Sequence, residues 1–293
     1  MKKDTKKWFY FIVLSLVWGS SFILIKKALI GFSPIQLGAL RILFAASFLL
    51  VIGYKSLKSI KREDWKWITI AGFLSSFIPP FLFALAQTEI DSGITSIFNS
   101  LTPLNTTIVG VLLFGALITK KQIFGIFIGL LGTFALILAG AEFSPDQNYW
   151  YAIFILISSV GYAFNINIIK KHLSHLSPLA VTTGSFGVVV IPALVIVLWS
   201  GFFVEIWKDT LMQTALIYLL LLAFLGTAIA NIFFNKLIHM SSPVFAASVT
   251  YVIPLIAVLW GVWDGEKISF YQCIGGFVML VGVYMVNKKT SKN

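Results

Sequence analysis

The chain contains 293 residues, of which 58% are hydrophobic and 11% are charged, and its formal net charge at pH 7 is +11. The mean hydropathy of +0.93 excludes an ordinary soluble domain. Apolar stretches recur at roughly 20 residues, the length of a membrane-spanning helix. Because these runs are too long and continuous for barrel strands, the sequence predicts an all-α polytopic membrane protein.

Ten transmembrane helices are predicted along the chain. The first run follows four lysines, as in a signal peptide, but it extends to Ile30 without a small-residue cleavage site, so we expect an uncleaved first helix. Pro79-Pro80 interrupts the third run. The predicted spans cover about 8–30, 34–54, 65–86, 93–117, 121–140, 149–170, 178–200, 211–236, 243–263 and 269–287.

The charge distribution predicts the orientation of these spans. With both termini cytoplasmic, 17 of the 22 lysines and arginines fall on the inner side, as the positive-inside rule requires. The basic charge is therefore a topology signal, and we expect no nucleic-acid partner. This topology suits a multi-pass protein of a bacterial-type inner membrane, in contact with the lipid bilayer.

A sequence pattern occurs twice in the chain. Lys26-Lys27 and Ser33-Pro34 recur 144 residues later, Pro103 recurs at an offset of 151, and three further positions recur at 150. The matching positions are Lys170-Lys171, Ser177-Pro178, Pro254, and the pairs Gln122 and Gln272, Gly125 and Gly275, Gly132 and Gly282. Five spans in each copy would leave the second copy upside down. The sequence thus predicts two inverted five-helix repeats, 1–144 and 145–293, an architecture typical of secondary transporters.

Several segments resemble the EamA-type transporters of the drug/metabolite transporter superfamily. The first is Leu16-Val-Trp-Gly-Ser-Ser-Phe22 with Lys26, which is similar to the first helix of that family. The others are Leu40-Arg-Ile-Leu-Phe-Ala45, Ser100-Leu-Thr-Pro-Leu104, Tyr251-Val-Ile-Pro254, Gly265-Glu266 and Gln272-Cys-Ile-Gly275. In order and spacing these segments cover almost the whole chain.

The resemblance implies a ten-helix carrier that exports small metabolites by alternating access. Amino acids, their derivatives and amphipathic drugs are the substrate classes that it implies. The family commonly carries an acidic residue after the fourth helix. Glu266 supplies it in the second copy, whereas Gly115 or Ala116 stands at the corresponding place in the first.

Arg41 is a candidate substrate ligand. It lies seven residues after Pro34, roughly 10 Å below the outer surface at about 1.5 Å per residue. A guanidinium is suited to binding a carboxylate through two hydrogen bonds. The alternative is an arginine that extends to the surface or joins helix ends through backbone carbonyls.

The fourth and ninth helices contain candidate ligands and moving parts. Pro103 and Pro254 would each leave the carbonyl four residues earlier without its helical partner, at Asn99 and Thr250. We expect Asn99 and Thr102 to contact substrate and the two prolines to act in gating. The alternative is a packing kink whose threonines bond their own backbone.

Further candidate ligands lie in the first, sixth, eighth and ninth helices. At the 144-residue offset Trp18 aligns with Tyr162 and Ser21 with Asn165, which places an aromatic and a polar group on one face of each helix. The remaining candidates are Asn231, Asn235 and Tyr251. An aromatic wall with a few amides suits a partly apolar ligand. The alternative for each asparagine is a hydrogen bond between helices.

Small residues indicate a close helix contact. Gly125 and Gly129 form a GxxxG pair, and Gly275-Gly276 lies at the same point of the second copy. Such residues let helix backbones approach, either between the fifth and tenth helices or at a dimer surface. We expect a monomer or a homodimer.

Absent motifs limit the function further. No carboxylate lies near the centre of any predicted span, which disfavours proton coupling through a buried acid. HExxH and GxSxG are also missing, so we expect no catalytic residues, no metal and no cofactor. The leading interpretation is a secondary transporter that exports amino acids or their derivatives. Efflux of amphipathic drugs is the alternative, and a channel or membrane enzyme is a remote one.

Overall fold

The computed structural model describes residues 3–117, 119–141, 148–207, 209–264 and 270–287. Within these ranges the chain is helical and contains no strand. The main helices are α1 (Lys3–Ala28), α2 (Pro34–Gly53), α3 (Asp64–Ala86), α4 (Ser92–Phe114), α5 (Lys120–Ala141), α6 (Ala152–His172), α7 (Pro178–Trp199), α8 (Thr210–Met240), α9 (Pro243–Trp263) and α10 (Phe270–Asn287). A short helix, Phe202–Glu205, lies between α7 and α8.

Eight helices in the described part of the chain are long and apolar enough to cross a membrane: α1 to α4 and α6 to α9. Large hydrophobic side chains cover the outside of the bundle, with Leu112 74% exposed and Trp199 88% exposed. Such a surface fits a lipid environment and not water. The fold is therefore that of an all-helical polytopic membrane protein, as the composition predicts.

The repeated Ser-Pro dipeptide begins a helix in each copy. Ser33 accepts a hydrogen bond from the backbone N–H of Gln36 at 3.2 Å, and Ser177 accepts one from Ala180 at 3.1 Å. The following prolines occupy the first turn of α2 and α7, where no intrahelical N–H is required. The motif is therefore a helix-capping signal.

The helices contact one another in a regular scheme. Helix α2 packs against α7, α4 against α9, and α5 against α10. Helix α1 contacts α8 and α9, while α6 contacts α3 and α4. Helix α8 also contacts α2, and α3 contacts α7. The core between them is formed by side chains such as Leu40, Ile166 and Phe186, which are fully buried.

Of the two contacts that the small residues allow, the one between the fifth and tenth helices is present, with Gly282 of the tenth helix at the crossing. A Cβ atom added to Gly282 would lie 2.6 Å from the Cα of Gly129 and 2.7 Å from the carbonyl oxygen of Gly125. The two helix backbones therefore touch at this crossing, which only glycine permits.

Four helices are interrupted near their middle. Helices α3 and α8 each contain a π-helical turn, at Phe73–Phe77 and Phe224–Ile229. Helix α4 breaks at Ser100 and Leu101, and α9 contains a 3₁₀ turn at Ser248–Tyr251. These irregular turns bring backbone and polar side chains to the centre of the bundle.

The prolines of α4 and α9 lie beyond these breaks and not inside a continuous kinked helix. Pro103 and Pro254 occupy the first turn of the helical segment that follows, where the missing N–H leaves no donor unpaired. The carbonyl of Asn99, expected to be free, accepts a hydrogen bond from Thr102 Oγ1 at 2.7 Å. A threonine hydroxyl thus replaces the helical N–H that proline lacks.

Candidate functional site

A cavity of about 90 Å³ lies at the centre of the bundle, between α1, α2, α3, α4, α6, α7, α8 and α9. A water molecule needs about 10–15 Å³ of such space, so the cavity holds several waters or a small solute. Its lining consists of Trp18, Ser21, Phe22, Ile25, Arg41, Ser75, Ser76, Pro80, Phe83, Asn99, Thr102, Tyr162, Asn165, Ile166, Phe186, Gly226, Thr227, Asn231, Phe234, Thr250 and Ile253.

Eight of the ten predicted substrate ligands lie in this lining: Trp18, Ser21, Arg41, Asn99, Thr102, Tyr162, Asn165 and Asn231. They come from five different helices, α1, α2, α4, α6 and α8. The gating candidates Pro103 and Pro254 are buried outside the lining, and each directly follows a lining residue. That these side chains bind substrate or gate the cavity stays a prediction.

Asn235 and Tyr251 lie away from the cavity. Asn235 Nδ2 donates to Thr182 Oγ1 at 2.8 Å and so joins α8 to α7, which is the alternative role expected for an asparagine in a bundle. Tyr251 is fully buried with its ring over Gly129 of α5, where an added Cβ would lie 2.9 Å from Tyr251 Cζ. Both side chains point to a neighbouring helix, a direction that spacing along one helix does not determine.

Arg41 is the one charged residue in the described lining of the cavity. Its Nε donates to Thr227 Oγ1 at 2.6 Å, and that hydroxyl donates in turn to the carbonyl of Leu222 at 2.9 Å. Thr227 belongs to the π-helical turn of α8, so the irregular backbone determines the position of the guanidinium. Among the described residues, Arg41 forms no ion pair, and its two terminal nitrogens donate to no protein oxygen.

Four neighbouring polar side chains have unused hydrogen-bonding groups. Tyr162 and Asn165 form no hydrogen bond with the described residues, although Asn165 is only 6% exposed. Asn231 uses its Nδ2, which donates to the carbonyl of Thr227 at 2.8 Å, while its Oδ1 accepts no hydrogen bond from a described residue. Asn99 Oδ1 accepts from Thr102 Oγ1 at 3.3 Å, and the Asn99 Nδ2 donates to no described residue. The cavity therefore offers both donors and acceptors to a solute.

Aromatic side chains form the remaining wall. Trp18 Nε1 donates to the carbonyl of Gly226 at 3.0 Å, which satisfies its polar atom and leaves the ring facing apolar neighbours. The ring centroid of Trp18 lies 4.8 Å from that of Phe234, and Phe83 lies 6.2 Å from Tyr162. A small solute can therefore place an apolar part against rings and a polar part near Arg41.

The lining residues correspond between the two halves of the chain. Eighteen of the 21 described lining residues form nine pairs separated by 144 or 151 residues. The pairs are Trp18 and Tyr162, Ser21 and Asn165, Phe22 and Ile166, Ser75 and Gly226, Ser76 and Thr227, Pro80 and Asn231, Phe83 and Phe234, Asn99 and Thr250, and Thr102 and Ile253. Arg41 breaks this correspondence, because Ser185 stands 144 residues later and lies outside the lining.

Sequence reasoning missed the serines and the threonine of the two π-helical turns. Ser75, Ser76 and Thr227 look unremarkable in apolar helices, because a hydroxyl can bond its own helix backbone. The signal that would have found them is the repeat itself. The 151-residue offset of the two prolines also joins Ser76 to Thr227.

The ends of the bundle are joined by contacts between the two halves. At one end Asp264, directly after α9, pairs with Lys27 and with Lys26, the latter at 3.2 Å. The hydrogen bond from Lys27 is the main reason that the pKa of Asp264 lies below its ordinary value. The Asp264 carboxylate is therefore negatively charged at neutral pH, and its ion pairs join the end of α9 to the end of α1. Glu266 lies outside the described residues.

The opposite end is joined by hydrogen bonds, a ring contact and an imidazole–carboxylate contact, in which His175 Nε2 lies 3.1 Å from the buried Asp64 Oδ1 at the start of α3. Lys170 of α6 donates to the carbonyls of Ile238 at 3.2 Å and Ser241 at 2.8 Å, at the carboxyl end of α8. The imidazole of His172 stacks on Trp67 of α3 at 3.8 Å. No group of three or more metal-binding side chains occurs in the described part of the chain.

A helical bundle with lipid-facing surfaces and a polar central cavity belongs to the class of polytopic membrane carriers. The EamA-like transporter family matches the chain twice, over residues 5–138 and 149–288. The chain therefore belongs to the EamA-like transporter family.

Relatives of known sequence or structure agree with this assignment. The chain is 28% identical over 281 residues to the uncharacterized inner membrane transporter YedA of Escherichia coli strain K12, covering 93% of this chain and 88% of that one. It is 22% identical over 291 residues to a probable amino-acid metabolite efflux pump of Salmonella typhimurium, covering 96% and 94%. A crystal structure with a TM-score of 0.74 and 16% identity, covering 97% of this chain and 96% of that one, shares the fold.

Proposed function

We propose that this protein is a ten-helix carrier that exports amino acids or their derivatives by alternating access. The observation that carries the proposal is the cavity between residues of both halves, in whose described lining one guanidinium lies together with aromatic rings and with amide groups that have unused hydrogen-bonding atoms. Such a cavity suits a small solute with a carboxylate and an apolar part.

Two inverted repeats, 1–144 and 145–293, would explain the packing scheme. Replacing each helix by the one five places along the chain reproduces the same contacts: α1 with α8 and α9 becomes α6 with α3 and α4, whereas α2 with α7, α4 with α9 and α5 with α10 are unchanged. The nine pairs of lining residues and the two family matches support the same duplication. A two-fold axis through the cavity accounts for all three observations.

Alternating access is supported by the nature of the contacts at the two ends. Each end joins helices of both halves through a few polar or aromatic contacts, such as Lys27 with Asp264 and His172 with Trp67. Interrupted helices lie between these ends and can move as separate segments. Opening one end while the other stays joined would expose the same cavity to each side in turn.

The residues of the cavity also indicate whether transport is coupled to a proton gradient. Its described lining contains no carboxylate that could take up and release a proton. We therefore expect the substrate to run down its own gradient or to exchange with another solute. A relative named as a probable amino-acid metabolite efflux pump is consistent with export of such compounds.

Efflux of amphipathic drugs is the second candidate. The aromatic wall of Trp18, Phe83, Tyr162 and Phe234 favours it. Cationic drugs would meet the guanidinium of Arg41 without a compensating carboxylate, which disfavours them. If the protein exports drugs, we therefore expect its substrates to be uncharged or anionic amphipathic compounds.

The proposal is tested by exchange in proteoliposomes. Vesicles are preloaded with unlabelled amino acids or their derivatives, and the uptake of labelled solute is followed for aromatic, small neutral and acidic members. We expect saturable exchange for at least one carboxylate-bearing member. No exchange for any member by folded protein, together with exchange of an uncharged drug, would favour the second candidate.

Topology is tested with two cysteines at repeat-related positions. In a Cys273→Ser background, Lys27→Cys and Lys171→Cys are placed at residues 144 apart. Inverted repeats predict that a membrane-impermeant thiol reagent labels them from opposite sides. With both termini cytoplasmic, Lys171→Cys is labelled from inside. Labelling of both from one side would contradict the inverted arrangement.

A further inference from the structure

The charge of the cavity is unbalanced. Arg41 supplies one permanent positive charge, and the other described lining residues are polar, aromatic or aliphatic. Its Nε is held by Thr227 Oγ1 at 2.6 Å, which fixes the guanidinium and leaves the terminal nitrogens for a ligand. Because Ser185 stands at the repeat-related position, this charge has no counterpart in the other half.

We propose that the cavity selects singly charged carboxylates without a free ammonium group, such as N-acylated amino acids or 2-hydroxy acids, over zwitterionic amino acids. This inference rests on the proposed function and specifies its substrate class. A monoanion neutralises Arg41 inside the closed protein, whereas a zwitterion leaves a net positive charge there.

The cost of that remaining charge arises during closure. An alternating-access carrier must enclose its ligand away from water before the other end opens, and a charge taken out of water without a partner is strongly unfavourable. A free ammonium group would lie near the guanidinium with no carboxylate in the described lining to compensate it. The complex with a zwitterion would therefore close more rarely than the complex with a monoanion.

The uncharged part of the cavity fits an acylated nitrogen. An acyl amide presents one N–H donor and one carbonyl acceptor, and burying them requires one partner for each. Within the described part of the chain, Asn231 Oδ1 accepts no hydrogen bond, and Asn165 and Tyr162 form none. The rings of Trp18 and Phe234 can cover the apolar part of the ligand.

The experiment compares matched pairs of solutes in the same proteoliposomes: an amino acid with an uncharged side chain and the N-acetyl derivative of the same amino acid. Exchange rates are measured at equal concentration near neutral pH, where the derivative carries one negative charge. We expect the derivative to exchange roughly 30-fold faster or more, since leaving a buried charge without its partner costs at least this factor.

Three variants test the cause. Arg41→Gln should abolish the preference for the derivative, and Arg41→Lys, which keeps the charge, should retain it. Asn231→Asp adds a carboxylate near Thr227, the residue that contacts both Arg41 and Asn231, and should shift the preference toward the zwitterion. Arg62→Gln removes the exposed arginine of the loop before α3 and should change nothing.

The outcomes separate this inference from the proposed function. Equal exchange of the two solutes, or faster exchange of the amino acid, would overturn the inference and leave an amino-acid carrier. Exchange of neither solute, by protein that elutes as a single folded species, would overturn both. A preference for the derivative that persists in Arg41→Gln would overturn the role assigned to the guanidinium.

Discussion

The contact between Arg41 and Thr227 provides the sharpest test of how the cavity is built. Replacing Thr227 by valine keeps the shape of the side chain and removes the hydroxyl that accepts from Arg41 Nε. Thr106→Val is the matched control. Thr106 is as buried as Thr227, at 1% against 3%, and its hydroxyl also donates to a carbonyl of its own helix, that of Thr102 at 2.7 Å. Thr106 forms no hydrogen bond with Arg41 and is absent from the described lining of the cavity.

The difference between the two variants isolates the hydrogen bond to the guanidinium. Each substitution removes a bond to a backbone carbonyl, which contributes about 0.5–1.5 kcal/mol. Thr227→Val also removes a hydrogen bond to a charged group, which contributes about 1.5–3 kcal/mol. Comparing the two variants therefore cancels the contribution of the bond to the backbone carbonyl. If the lost orientation of the guanidinium weakens carboxylate binding by about 1.4 kcal/mol, the affinity falls tenfold.

The assay is the concentration dependence of exchange, combined with reversible unfolding in detergent. We expect Thr227→Val to weaken the apparent affinity for a carboxylate about tenfold and to unfold more easily than Thr106→Val by at least about 1 kcal/mol. In an Arg41→Gln background, Thr227→Val should have little further effect on affinity. Equal affinities for the two single variants, or additive effects in the double variant, would refute this account of Arg41.

Two further predictions concern packing and the joined end of the bundle. Gly161→Ala would place its Cβ 2.5 Å from the carbonyl oxygen of Leu74 in the π-helical turn of α3. We therefore expect this variant to lose about 1–3 kcal/mol of unfolding free energy. Gly187→Ala is the control and should be neutral or stabilising, because its Cβ would meet only a side chain, at 3.7 Å. Equal unfolding free energies would contradict the close approach. Because the pKa of Asp264 is lowered by Lys27, its pair contributes stability above the ordinary aspartate pKa of about 4 and loses it as the pH falls through the lowered value. The stability difference between wild type and Asp264→Asn should therefore stay constant from neutral pH to about pH 4 and disappear below, and a loss near pH 6 would contradict the assigned pair.

Sequence alone predicted the features that depend on local chemistry. Helices starting at Pro34 and Pro178 were predicted from the apolar runs, and the structure adds the reason, because Ser33 and Ser177 cap these helices and proline tolerates the first turn. Arg41 was found because a charged residue in an apolar run must face a polar space. The glycines of the fifth and tenth helices indicated a contact that the structure confirms.

Other features required the three-dimensional packing. Asn235 and Tyr251 have the same chemistry as true lining residues, but their side chains point to α7 and α5. Nothing in one sequence states which face of a helix meets which neighbour. The π-helical turns at Phe73–Phe77 and Phe224–Ile229 were missed for a related reason. A π-helical turn contains one residue more than an α-helical turn. In α3 this turn packs against a neighbouring helix, since Leu74 lies next to Gly161 of α6.

The most direct test of the account is whether the cavity can be reached from both sides of the membrane. Ser76 lines the cavity and is only 4% exposed, so Ser76→Cys in a Cys273→Ser background places a single small thiol inside. An alternating-access carrier predicts slow labelling by membrane-impermeant reagents from either side, and protection from both sides by a transported carboxylate. Labelling from one side only, unchanged by any transported solute, would contradict the central claim that this cavity is the substrate path.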